Sequence, residues 1–441
     1  MHALRRRPSA PTAVFWGMVL VFGAWMTHRY RTEWFLVADD WTMLGSRVEH
    51  WRLFGFDDFL LRRHNEHLMG GMTLWNWGLA EIFGLRDYTP WVITVQIGNA
   101  FVSWVAYRFM RRLDIPAIVA ASMAPLLMIW GPFITVAYWA PEAIFTICLA
   151  LVMLHFWLIA SDANSVRRDI AGAGASTLAI FVHSVCAAVL PVLLASLILR
   201  RRWRSLSISS IPLVLYGLWF VTYQRLQPSN RWLTEIEPDT WQERSVGLFF
   251  TFGWKTLSRM VWPHSSILAA LAIATLVAWG AVVCIRRGGE QRLLVTAALF
   301  AALVYMFGFT WSRGFVTEEV FKQDPPSRYA AVVGLLLLPI AAVPLGMLSR
   351  KASERLRSVR PAGLAIGGLL VVLAISVNAR QRADSDTDMM TVADTFRDRV
   401  VAVASDPALP TYPPDDFVFG EMWLVDLVFD DVARFKRNGW L

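Results

Sequence analysis

The chain has 441 residues, of which 56% are hydrophobic and only 17% charged. Soluble domains carry about a quarter charged residues, so this balance excludes one and points to a membrane protein. In such a chain a formal charge of +8 is not a nucleic-acid signal, and Cys148, Cys186 and Cys284 all fall in apolar runs, which leaves neither a disulfide framework nor a clustered metal motif.

The first apolar run, about residues 11 to 27, follows Arg5-Arg6-Arg7 and lacks a small-residue cleavage site. It reads as a retained first helix with a cytoplasmic N-terminus. Further runs centre near residues 98, 124, 151, 176, 193, 215, 275, 301, 338 and 369, and each approaches the roughly 20 residues that a spanning helix needs. The expectation is an all-α polytopic transmembrane bundle of about eleven helices. Small residues Ala171-Gly172-Ala173-Gly174-Ala175 lead through His183 and Pro191 with almost no polar turn, and this stretch reads as one long helix or a tight hairpin, the hairpin being favoured because the arginine clusters on both sides call for an even number of crossings. Arg111-Arg112, Arg167-Arg168, Arg200-Arg201-Arg202, Arg286-Arg287 and Arg350-Lys351 occupy every second connection. That alternation assigns those turns to the cytoplasm and the segments 28–88, 134–142, 224–263, 313–328 and 379–441 to the outside, the C-terminus included. The basic residues are nearly all Arg, with Lys only at Lys255, Lys322, Lys351 and Lys436. This bias suggests a GC-rich bacterial genome, and hence a bacterial cytoplasmic membrane. Domain organisation follows: residues 1–378 as one transmembrane module, and 379–441 as a small external segment divided by Pro410, Pro413 and Pro414.

Loop 28–88 is the largest between helices. Trp34-Phe35-Leu36-Val37 and Phe54, Phe56, Phe59, Leu60 and Leu61 alternate with charges, as short amphipathic helices lying in the membrane interface would. Within it, Ala38-Asp39-Asp40-Trp41 sets two carboxylates side by side near the bilayer. Mutual repulsion and lost solvation both raise one pKa toward the range of a general base, although Asp ahead of Trp-Thr-Met-Leu is also a helix N-cap pattern. His64-Asn65-Glu66-His67 offers ligands to a metal, or hydrogen bonds to a sugar or phosphate, and a spacing of three lets both histidines face one way on a helix. It departs from the His-Glu-x-x-His zinc pattern, so the sequence requires no metal and leaves a divalent ion open.

Outside that loop, Glu142 stands at an outer helix start, where a carboxylate also suits the helix dipole. His183, at the outer end of an apolar run, reads either as a packing residue or as a ligand contact. Lys255, Arg259, Arg313, Lys322 and Arg328 are external cations that could anchor headgroups or hold a phosphate. Lys322 and Arg328 flank the constrained turn Gln323-Asp324-Pro325-Pro326-Ser327, and Tyr329 follows at the mouth of a helix.

Asp-Asp-Trp just after a membrane exit, an aromatic amphipathic stretch, and then Glu-His before a Gly- and Trp-rich segment together resemble the first external loop of the GT-C superfamily of membrane glycosyltransferases. The resemblance implies transfer of a sugar from a polyprenyl phosphate to a glycan, glycolipid or protein acceptor. On this basis Asp39 or Asp40 would be the catalytic base, with Trp41, His64, Glu66, His67, Glu142, Lys322, Arg328 and Tyr329 binding substrate. The chain lacks the large external carbohydrate-binding domain of the bigger members. A lipid or small-solute transporter or flippase is the competing class. Transporters place charges at the membrane midplane, whereas here the acidic residues gather in external loops.

Overall fold

The computed structural model describes residues 10–32, 39–64, 67–130, 138–161, 165–224, 241–260, 266–313, 327–355, 391–414 and 427–441, with a few single positions between them. Apolar sequence deprived of water has only itself to satisfy backbone N–H and C=O groups, and a helix does so locally. Among the described residues the chain is accordingly helical, apart from one small hairpin and the connecting turns.

Helix α1 (Ala10–Tyr30) is followed by three short helices, α2 (Asp39–Leu44), α3 (Ser46–Phe54) and α4 (Phe56–Leu61). Strands β1 (Arg63–His64) and β2 (His67–Leu68) lead into α5 (Gly70–Phe83) and the long α6 (Thr89–Arg112). Next, α7 (Ala117–Met123) tightens into a 3-10 turn, Ala124–Met128, where Pro125 withholds the N–H an α-helix would use. Helices α8 (Ala140–Ala160) and α9 (Val166–Val182) form an antiparallel pair. After His183 come a 3-10 turn (Ser184–Val189), α10 (Leu190–Leu199), α11 (Trp203–Ser209) and α12 (Ile211–Trp219). The bundle is completed by α13 (Trp241–Arg259), α14 (Ile267–Arg287), α15 (Gly289–Arg313) and α16 (Ser327–Arg355). Helices α17 (391–405) and α18 (Phe429–Arg437) belong to the C-terminal segment.

Among the described residues six helices are long and apolar enough to cross a bilayer: α1, α8, the run Trp203–Tyr223 that joins α11 and α12, α14, α15 and α16. Leu20 and Leu268, 69% and 79% exposed on two of them, belong to an apolar exterior that suits lipid. The eleven expected crossings are thus not all of one kind. Helix α6 has the length, but Gln96, Asn99 and Arg108 dilute its apolar character. The runs near 124 and 193 give only the shorter helices Ala117–Met128 and Ser184–Leu199, the run near 176 gives the 17-residue α9, and the run near 369 lies outside the described residues. Conversely, the expected outer loop 224–263 contains α13, which no apolar run announces because Gln242, Glu243, Arg244 and Lys255 interrupt it.

The arginine-rich turns meet at one end of the bundle. Arg112 pairs with Glu290, and Asp114 pairs with both Arg287 (3.8 Å) and Arg350 (3.0 Å). The hydrogen bond from Arg350 holds the Asp114 carboxyl below the usual carboxylate range. Arg202 donates to the carbonyls of Ile159 and Ser161, and Arg168 to the Ser161 hydroxyl. Charges that were regular in sequence are therefore neighbours in space, and α6, α8, α9 and α16 each run from this end to the other.

Close helix contacts depend on absent side chains. Gly172 of α9 lies under His155 of α8, whose ring is pinned by Ser176 (2.8 Å) and Ser209 (3.0 Å). Gly280 of α14 lies against the α16 backbone, where a Cβ would stand 2.1 Å from the Ile340 carbonyl oxygen. Small residues allow this approach between membrane helices, and crowding it costs about 1–3 kcal/mol. Gly280→Ala is therefore expected to lower the unfolding temperature in detergent by several degrees. Gly308→Ala, whose Cβ meets open space, serves as the neutral control. Equal melting curves for the two would show that α14 and α16 are not in register-fixing contact.

Candidate functional site

At the end of the bundle away from the arginine-rich turns, two polar groups are built from residues far apart in sequence. The first surrounds Asp40, which is wholly buried. A carboxylate without water must be met by donors. Asn76 Nδ2 donates to Asp40 Oδ1 at 3.0 Å and Trp139 Nε1 to Oδ2 at 3.1 Å, while Trp91 Nε1 donates to Asn76 Oδ1 at 2.9 Å. Burial, and then the Asp40 charge, push the Tyr88 phenol well above its ordinary range. These bonds tie the first turn of α2 to α5, to α6 and to the residue that precedes α8. Asp39 opens α2, and its side chain lies outside the described residues. Trp41 is wholly buried, with its ring 6.1 Å from that of Phe435. Its place is in the packing between the first loop and α18.

That packing is specific. Arg434 of α18, itself buried, donates to the carbonyls of Leu44 (3.0 Å) and Gly45 (3.1 Å) and pairs with Asp431 at 2.7 Å. Leu85 N donates to the Trp440 carbonyl at 2.7 Å. The C-terminal segment thus braces the turn between α2 and α3.

The second group forms around the hairpin. His64 and His67 do not share a helix face. They are paired directly across the antiparallel strands β1 and β2, and this still sends both side chains to one face of the ribbon. Strand pairing takes the place of the expected helical spacing. Glu66 and Lys322 lie outside the described residues. Leu68 N donates to Ser184 Oγ at 3.0 Å, and the same hydroxyl stands 3.4 Å from His67 Nδ1. The His67 ring lies 4.7 Å from that of His183, which lies 4.5 Å from Phe145. Arg328 donates to buried Glu142 at 2.9 Å, with its guanidinium 5.0 Å from the Tyr329 ring and 5.9 Å from Phe145. His183 is held well below the usual imidazole range by burial first, and then by the nearby charges of His67, His64 and Arg328.

Five expected residues therefore meet here: His64, His67, Glu142, Arg328 and Tyr329. They come from the first loop, the start of α8 and the start of α16. Sequence reading missed Asn76, Trp91, Trp139 and Ser184. The one available signal was an Asn between two Trp in an otherwise apolar helix, which needs buried partners.

The two groups share the first turn of α8, since Trp139 and Glu142 are three residues apart. An apolar cavity of about 170 Å³ adjoins both. Its wall includes Ala140 beside Trp139, Ala143 beside Glu142 and Val182 beside His183, together with Gly71, Met72 and Trp75 of α5. Ordinary small-molecule pockets span roughly 300–1,000 Å³. This one therefore suits a length of hydrocarbon better than a whole sugar. Among the described residues no three His, Cys, Asp or Glu side chains meet closely enough to hold a metal ion. Compared with known proteins, the chain matches no family model, and no curated sequence matches it.

Proposed function

We propose that the chain is a membrane glycosyltransferase of the GT-C type, moving a sugar from a polyprenyl-phosphate donor to an acceptor hydroxyl on the external face of a bacterial cytoplasmic membrane. One observation carries the reading: a carboxylate-bearing helix start and a group of His and Arg side chains adjoin one apolar cavity, at the end of the bundle opposite the arginine-rich turns. In this reading the arginine-rich end is cytoplasmic and the chain crosses about eleven times. Tyr30 closes α1 stacked on Tyr138 at 4.3 Å, so the N-terminus lies inside, while α18 lies outside with the first loop. Helices α3 and α4, with Leu53, Phe54 and Phe56 exposed, rest in the outer interface.

The chemistry divides among the residues. Asp39 takes the proton from the acceptor hydroxyl, whose oxygen bonds to the anomeric carbon as the sugar–phosphate C–O bond breaks. The phosphate leaves with that electron pair, and Arg328, His67 and Lys322 stabilise its charge. Asp40 holds α2, and so Asp39, in place. His64 and Glu66 bind sugar hydroxyls, and the cavity takes the first part of the prenyl chain. A mainly apolar cavity near an arginine and histidines is what a lipid phosphate requires, whereas a solute carrier requires charge at mid-membrane.

The test uses purified protein in vesicles, supplied in turn with polyprenyl monophosphates carrying different sugars and with a membrane extract as acceptor. Release of free polyprenyl monophosphate from one donor is the expected result. Movement of intact donor between leaflets without any release would replace this reading with a flippase.

A further inference from the structure

His183 ends α9, and its ring is sandwiched between His67 of β2 and Phe145 of α8. The Val185 N–H donates to His183 Nδ1 at 3.1 Å. That nitrogen therefore carries no proton, and the proton of the neutral ring is on Nε2, at the far side. Only 2% of the residue is exposed, and among the described residues Nε2 has no partner. Nε2 is not fully enclosed, so its N–H can donate to a group that reaches it from outside the core. The groups facing His183 indicate what that is. His64 and His67 approach from β1 and β2, the guanidinium of Arg328 brings positive charge from α16, and the carboxylate of Glu142 on α8 is engaged by Arg328. Beneath the ring the Cys186 thiol bonds the His183 carbonyl. An oxyanion is the acceptor such a setting attracts.

We infer that His183 is a fixed, uncharged hydrogen-bond donor to the phosphate of the prenyl-linked substrate, through Nε2–H. The inference rests on the donor proposed above and gives that donor's phosphate a contact absent from the GT-C resemblance. Burial and the neighbouring cations keep the ring neutral well below the ordinary imidazole range.

Two substitutions separate this role from simple capping of the 3-10 turn. His183→Asn keeps a side-chain oxygen for the Val185 N–H and loses the distal donor. His183→Gln reaches the Nε2 position with an N–H and gives up the cap. The probe is farnesyl monophosphate, titrated into full-length purified protein by calorimetry, with thermal unfolding recorded on the same samples. His183→Asn is expected to weaken binding by about 10-fold or more, the worth of a hydrogen bond to a charged acceptor, and His183→Gln to stay close to wild type. Normal binding by His183→Asn, or equal losses in two folded variants, overturns the inference. Should either variant fail to fold, wild-type protein labelled with ¹⁵N-histidine decides: the His183 Nε2 resonance moves on saturation, and an unmoved resonance overturns the assignment. Wild-type protein that binds no prenyl phosphate removes the donor reading itself. Wild-type binding beside an unaffected His183→Asn removes this inference alone.

Discussion

Asp39→Asn is expected to cut sugar transfer by roughly 10²–10⁴-fold, the usual worth of a general base, and to leave the unfolding temperature unchanged. Asp40→Asn is expected to do something different: to destabilise the protein, with a smaller loss of transfer. The reason lies in the chain of bonds from Trp139 through Asp40 and Asn76 to Trp91. Both indoles can only donate, so the two residues between them must together accept more than they give. A carboxylate at position 40 meets that condition. An amide cannot, because with either orientation of Asn76 one N–H is left facing another N–H. Leaving a buried donor unmet costs about 1–3 kcal/mol. Activity assays and melting curves on the two variants check both halves. An Asp40→Asn protein of normal stability and no activity, beside an active Asp39→Asn, would move the base to position 40.

Arg328→Ala is expected to lose about 10²-fold or more in transfer, as when one donor to a developing anion is removed, and Arg328→Lys to recover only part of it. Lysine keeps the charge but not the planar fork that binds two phosphate oxygens. The alanine variant also takes the Arg328 bond away from buried Glu142. Because the Arg328 side chain is 33% exposed, water offsets part of that cost, and the destabilisation falls short of the 3–5 kcal/mol of a fully buried broken pair. Combining Arg328→Ala with Glu142→Gln separates the effects, since it removes the buried carboxylate charge without restoring the fork. The double variant should melt near wild type and remain inactive. A double variant that regains transfer would make the pair a strut, and a fully active Arg328→Lys would make Arg328 a headgroup anchor.

Much of the bundle was legible because a spanning helix announces itself by composition alone. Residues 10–30, 140–160, 267–287 and 327–355 form helices where the apolar runs stand. Helix α13 was not legible, since an amphipathic helix packed on one side has no long apolar run to display. Pro125 and His183 break apolar runs that composition counts as whole. At the site, the residue types were readable and their partners were not. Nothing in Asp39-Asp40 indicates that Trp139 and Asn76 hold the second carboxylate, because that pairing depends on how α5 and α8 pack. The histidines faced the same way as expected, through strand pairing and not through a helical turn.

The clamp of Arg434 on Leu44 and Gly45 joins positions 390 residues apart. At about 5–20 residues per second, a ribosome needs roughly 20–80 s to travel from the first of these to the last. For that interval the loop bearing Asp39 is already made but lacks its brace. On the proposed function, a nascent chain would hold the residues of the His and Arg group before the turn between α2 and α3 is braced, and transfer would begin only once α18 has been made. If the proposed function holds, completion of synthesis would set the earliest moment at which the protein can act.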